Sequence, residues 1–136
     1  MNFYFGTKNE KGNSYNWVVP NYFDKDEWEF SPTISSDKPI VFMGRITHLK
    51  GLDMIIELAK RLPNRKFKIA GQGDFKKFFS GLKNVEYHGS LEGKERSDFL
   101  QGAVAMLLPT KYIEPFGGAI VEAQFVGKKR NCIIFF

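Results

Sequence analysis

Pro39-Ile40-Val41-Phe42-Met43-Gly44-Arg45-Ile46-Thr47-His48-Leu49-Lys50-Gly51 and the residues that follow it to Pro63 decide the fold. Residues 40–43 form a short apolar run closed by Gly44, the pattern of a buried strand that ends in a turn. Beyond Gly51, the side chains of Leu52, Ile55, Ile56, Leu58, Ala59 and Leu62 recur at helical spacing until Pro63. The stretch therefore reads as a strand, a loop and an amphipathic helix.

The same unit recurs downstream. Residues 67–70 are closed by Gly71 and followed by a polar, helix-like segment over 74–82; residues 85–88 are closed by Gly89 and followed by a helix from Glu92 to about Gly102. Residues 103–108 make a fourth buried run, 117–126 a further helix, and 132–136 a fifth strand. Strands that alternate with helices imply parallel pairing, because parallel neighbours need a crossover, and such crossovers are right-handed. The expected fold is α/β, a Rossmann-like open parallel sheet with helices on both faces, and ligands of such sheets bind outside the carboxyl ends of the strands. Residues 1–38, rich in Asn, Asp, Ser, Pro and aromatics, read as an irregular arm with one extended piece at 17–19. The chain thus divides into an arm, 1–38, and a domain, 39–136.

Composition narrows the class. The 136 residues suit one domain, and 43% hydrophobic with 26% charged residues excludes a disordered or fibrous chain. Twenty Lys plus Arg against fifteen Asp plus Glu leave a net charge of +5. That balance suits an anionic partner such as a phosphate or nucleotide. The basic residues are scattered, however, with no run longer than Lys128-Lys129-Arg130, so a solvated basic surface stands beside that reading. Cys132 is the single cysteine, which rules out an internal disulfide and points to a reducing compartment. The start lacks a signal-peptide pattern, and no apolar run approaches the roughly 20 residues that span a bilayer. A cytoplasmic location without a transmembrane segment is expected.

Three strand-end motifs carry possible chemistry. In the first, Lys50 sits where a helix begins, and a cation there opposes the helix dipole by a few tenths of a kcal/mol unless an anion lies between them. Arg45 and Lys50, flanked by Gly44 and Gly51, read either as a phosphate clamp or as two side chains in water. The second, Gly71-Gln72-Gly73-Asp74, allows a tight turn and close backbone approach, or is a plain turn with Asp74 as the helix N-cap. Lys76 stands where a dinucleotide fingerprint needs its third glycine, which argues against a dehydrogenase-type domain.

The third motif, residues 109–123, is the most specific. Gly117 and Gly118 leave backbone N–H groups bare at a helix start, a site for an anion or a sugar hydroxyl. Glu114 and Glu122 either face one cleft and accept hydrogen bonds from hydroxyls, or complement the helix dipole and lie on a solvated face. His48 and His88 with one cysteine have no metal-ligand spacing, and Asp24-Lys25-Asp26 reads as a solvated turn. Phe75, Phe78 and Phe79 read as core or contact surface and lack the spacing of a nucleic-acid stacking platform.

Together, Val18-Val19-Pro20-Asn21-Tyr22-Phe23-Asp24, Gly44-Arg45 with Lys50-Gly51, Gly71-Gln72-Gly73, Gly89, and Glu114-Pro115-Phe116-Gly117 with Glu122-Ala123 resemble the C-terminal, donor-binding domain of a family 4 glycosyltransferase of the GT-B fold. The resemblance covers about residues 17–127. It implies one half of a GT-B enzyme that retains anomeric configuration, takes a nucleotide diphosphate sugar as donor substrate, and uses no metal or other cofactor. By that resemblance Arg45 and Lys50 hold the diphosphate and stabilise the leaving group, and Glu114 contacts the donor hexose. Gly44, Gly71 and Gly73 line the site, Phe116, Gly117 and Gly118 shape the sugar pocket, Glu122 accepts from the ribose, and Ser90, Leu91 and Glu92 border the base.

Two departures qualify the expectation. The family's acceptor-binding N-terminal domain does not precede the arm, which then corresponds to a former interdomain linker. After Gly127 the family's Pro-Val-Ile is replaced by residues 128–136, which makes the domain incomplete at its C-terminus. The expected protein is a donor domain that needs an acceptor-binding partner in cis or trans and is inactive alone, with a non-catalytic nucleotide-binding remnant as the alternative. Apolar surface left by a missing half predicts self-association; a nucleic-acid partner is not expected.

Overall fold

A computed structural model describes residues 3–4, 18–19, 22–24, 26, 28–30, 35–113, 116–127 and 132–134. Two short strands, β1 (Phe3–Tyr4) and β2 (Val18–Val19), pair antiparallel. The domain then runs β3 (Ile40–Met43), α1 (Leu52–Arg61), β4 (Phe67–Ala70), α2 (Phe75–Phe79), β5 (Val85–Tyr87), α3 (Lys94–Gln101), β6 (Ala105–Leu108), α4 (Gly118–Phe125) and β7 (Cys132–Ile134). The five strands β3 to β7 form one parallel sheet in the order β5-β4-β3-β6-β7. The α/β reading is borne out, and β7 occupies the place of the expected fifth strand.

Alternation along the strands separates two cores. Phe42, Phe67, Ile69 and Leu107 face α1 and α2, burying Leu52, Ile55, Ala59 and Phe79. Val41, Met43, Ala70 and Met106 face α3 and α4, burying Leu100, Ala103, Ala123 and Val126. Successive strand residues point to opposite faces, so each central strand feeds both layers. At the base of the sheet, Asn84 Nδ2 lies 2.9 Å from the carbonyl oxygen of Ala59, in the last turn of α1, and 3.1 Å from those of Leu62 and Arg65 in the loop that follows.

Several element boundaries differ from the sequence reading. The segment read over 74–82 is helical only over Phe75–Phe79: Asp74 Oδ1 accepts from the Lys77 amide at 3.1 Å, as an N-cap does, and Gly81 at φ 84° turns the chain away. Phe79 is buried, and Phe75 stacks on Phe79 and on Tyr87 at 5.1 and 4.7 Å between centroids. Helix α3 starts at Lys94 because Gly93 adopts φ 49°. The arm is more than a lead-in. Trp28 packs on the α3–α4 core, Phe23 stacks on Phe116 at 5.6 Å, and Gln101 Nε2 donates to the Glu29 carbonyl at 2.9 Å.

Candidate functional site

Strand order places the site. β3 pairs with β4 on one side and β6 on the other, and the chain leaves β3 toward β4 but reaches β6 only after crossing back from β5. The loops after β3 and β6 therefore diverge, which opens a crevice at the carboxyl ends, the usual ligand position in open α/β sheets. A cavity of about 200 Å³ lies there, lined by Met43, Gly44, Arg45, Lys50, Arg96, Leu108, Gly117, Gly118 and Ala119. Three residues of that lining are cationic, and two more are glycines at the start of α4. Gly117 caps α4 in the left-handed conformation (φ 70°, ψ 54°) and supplies no side-chain cap, so the first-turn amides point toward the cavity end of the helix.

Arg45 and Lys50 are held by their loops. Gly44 N donates to the Ala70 carbonyl at 3.0 Å and Ile46 N to that of Gln72 at 2.7 Å, which prolongs the β3–β4 pairing past the strand ends. Arg45 projects from this edge and is exposed, whereas Lys50, half-buried at the end of a 3₁₀ turn, carries its Nζ 4.9 Å above the centre of the Tyr112 ring. Tyr112 belongs to the β6–α4 loop. That loop is tied down further by Lys111, whose amide donates to the Leu49 carbonyl at 2.9 Å and whose Nζ lies 2.9 Å from Asp53 Oδ2 and 3.1 Å from His48 Nε2. The Lys111 hydrogen bond holds the Asp53 carboxyl below the usual aspartate range, against the opposing effect of desolvation.

Gly71 and Gly73 have a different neighbour from the one expected. A β-carbon on Gly71 would stand 1.8 Å from the Gly44 carbonyl oxygen, and one on Gly73 2.6 Å from that of Ile46. The space beside them is filled by the β3–α1 loop, so these glycines let two loop backbones touch and thereby position Arg45.

A second cavity, about 390 Å³, adjoins the first and is lined by Tyr22, Phe23, Asp24, Trp28, Glu92, Gly93, Arg96 and Glu122. Glu92 thus lines this second cavity. Ser90 is exposed and lines neither of these cavities, and Leu91 packs into the α3–α4 core. Phe116 is half-buried against Phe23, so its ring contacts the arm. Glu114 and Pro115 lie outside the described residues. Asp24 Oδ1 accepts from the Asp26 amide at 3.0 Å, the turn read from the sequence. Among the described residues no group of three or more His, Cys, Asp or Glu side chains converges to hold a metal ion.

Glu122 departs most from its solvated alternative. Its side chain is 8% exposed, and Arg96 Nη2 donates to both carboxylate oxygens, at 2.6 Å to Oε2. Arg96 lines both cavities and joins them. The sequence reading missed Arg96, although the signal was present: it stands in the first turn of α3, where a cation opposes the helix dipole just as Lys50 does.

Comparison with known proteins agrees with this geometry. The family model for glycosyl transferases group 1 matches residues 24–129. An uncharacterised 42.6 kDa protein of the cps region of Klebsiella pneumoniae is 35% identical over 91% of this chain and 32% of its own length. An uncharacterised glycosyltransferase of Methanocaldococcus jannaschii is 30% identical over 83% of the chain and 33% of its own. Among solved structures, Anabaena HepE, crystallised in complex with UDP and glucose, superposes with a TM-score of 0.61 at 21% identity, over 77% of this chain and 34% of that one. The chain spans about a third of the length of these curated relatives.

Proposed function

Because the chain belongs to the glycosyl transferases group 1 family and carries a GT-B type Rossmann-like sheet, we propose that it binds the nucleotide sugar donor of a retaining hexosyltransferase. The observation that carries this reading is the cationic, glycine-edged cavity at the switch point of the sheet. Arg45 and Lys50, with the first-turn amides of Gly118 and Ala119, form a cradle for a diphosphate, and cations aimed at the leaving oxygens stabilise charge as the glycosyl–phosphate bond breaks. That electrostatic role needs no bound metal. Glu114 contacts the hexose, Glu122 accepts from the ribose, and Glu92 borders the base. The UDP and glucose found with HepE support a nucleoside diphosphate and a hexose as the ligand class.

Transfer requires the acceptor oxygen in near-attack geometry on the face the leaving group departs from. Relatives about three times as long supply room for an acceptor-binding region, and we place that partner in cis or trans and the reaction in the cytoplasm. Tyr22, Phe30, Leu49 and Ile113 are exposed apolar side chains that suit such a contact or self-association. Among the described residues, no helix is long and apolar enough to cross a membrane.

Metal-free titration calorimetry of the chain with UDP, GDP, ADP and their sugar conjugates, with NAD as control, tests the proposal. Saturable binding of one nucleoside diphosphate, tightened by its sugar, is expected; a folded chain that binds none of them, or binds only NAD, refutes it.

A further inference from the structure

Arg96 and Glu122 come from two helices, α3 after β5 and α4 after β6, that pack on one face of the sheet. A cation in the first turn of α3 opposes the helix dipole. What holds Arg96 there is Glu122, 26 residues away, which it meets through one nitrogen that donates to both carboxylate oxygens. Arg96 thus contacts both oxygens of the group, which restricts its orientation. The Arg96 Nε is buried and has no hydrogen-bond partner among the described residues.

The two side chains differ in access. Glu122 is almost enclosed, whereas Arg96 is 36% exposed and borders both the phosphate cavity and the cavity of Glu92 and Trp28. We infer that Arg96 is a positioning residue: it aims the Glu122 carboxylate at the sugar of the bound nucleotide and so sets the preference for ribonucleotides over 2′-deoxyribonucleotides. This rests on the donor-site reading above and deepens it.

The test is calorimetric affinity of the full chain for UDP, GDP and ADP, each against its 2′-deoxy form, in the wild type, Arg96→Gln, Arg96→Lys and Glu122→Gln, with inorganic pyrophosphate as the phosphate-only probe. The wild type is expected to prefer the ribonucleotide by about tenfold or more, the worth of a charge-assisted hydrogen bond. Arg96→Gln should lower that preference to about that of Glu122→Gln, with pyrophosphate affinity measuring separately what the lost cation costs the phosphate cavity, and Arg96→Lys, which still donates to the carboxylate, should fall between. Wild-type preference in Arg96→Gln, or in Arg96→Lys should the glutamine variant not fold, overturns the inference. A wild type that binds a nucleoside diphosphate without preferring the ribose overturns the Glu122 assignment and this inference while leaving the donor site standing; binding of no nucleotide overturns the donor site itself.

Discussion

A β-carbon placed on Gly51 would stand 1.6 Å from the carbonyl oxygen of Pro109. The loop that carries Arg45 and Lys50 and the loop that leads from β6 toward α4 are thus in backbone contact, and Lys111 N to Leu49 O closes the contact with a hydrogen bond. The Arg45–Lys50 loop and the β6–α4 loop are therefore positioned as one piece.

Gly51→Ala should be among the costliest single changes in the domain. Gly51 combines a left-handed φ of 69° with a backbone neighbour that cannot move aside, whereas at Gly81, with φ 84°, a methyl group would meet nothing within 4 Å. Denaturant midpoints should show a loss of about 3 kcal/mol or more for Gly51→Ala and about 1 kcal/mol for Gly81→Ala, which bears backbone strain only. Equal losses would show that the two loops yield to one another.

Arg45→Ala should weaken the bound nucleoside diphosphate about 10- to 100-fold, the loss of one charge-assisted contact. Because Arg45 is exposed, its removal should move stability by less than about 0.5 kcal/mol. The two readouts, calorimetry and denaturation, separate a binding role from a structural one, and unchanged affinity would remove Arg45 from the clamp.

The Arg96–Glu122 pair should respond asymmetrically. Arg96→Met takes the guanidinium from a carboxylate that is 8% exposed, at a cost of about 3 kcal/mol, while Glu122→Gln leaves a guanidinium that reaches solvent and keeps an amide oxygen to bond, at about 1 kcal/mol. Denaturation of the two single variants checks the order, and the reverse order would mean that Arg96 is the enclosed partner.

The Asp53–Lys111 contact makes a pH-dependent contribution. Since the Lys111 hydrogen bond lowers the Asp53 carboxyl in the folded chain, the added stability is present above the ordinary aspartate value of about 3.9 and is lost as pH falls through the lowered value. Both side chains are more than a third exposed, so the effect is at most about 1 kcal/mol. The stability gap between wild type and Asp53→Asn should be visible at neutral pH and close in acid; a gap that widens in acid contradicts the pairing.

Much of this molecule is legible along the chain because its signals are local. Apolar runs closed by Gly44, Gly71 and Gly89 mark strands that end in turns, the spacing from Leu52 to Leu62 marks a helix, and the change of period from strand to helix implies a parallel sheet. Arg45, Lys50 and Gly117 stand out for the same reason, since each sits at a strand end or helix start where charge or backbone amides have local meaning. The two-residue strands Phe3–Tyr4 and Val18–Val19 are too short to show a period, and only one of them falls in a stretch read as extended.

Tertiary structure alone decided the neighbours. That β6 returns past β5 and β4 to lie beside β3 brings Gly44 and Gly117 to one cavity, that Gly71 and Gly73 face the β3–α1 loop sets two loop backbones against each other, and that α3 and α4 pack on one face joins Arg96 to Glu122. Such contacts span tens of residues, and no periodicity reports them. They follow from which apolar faces can be buried together once right-handed crossovers have set the strand order.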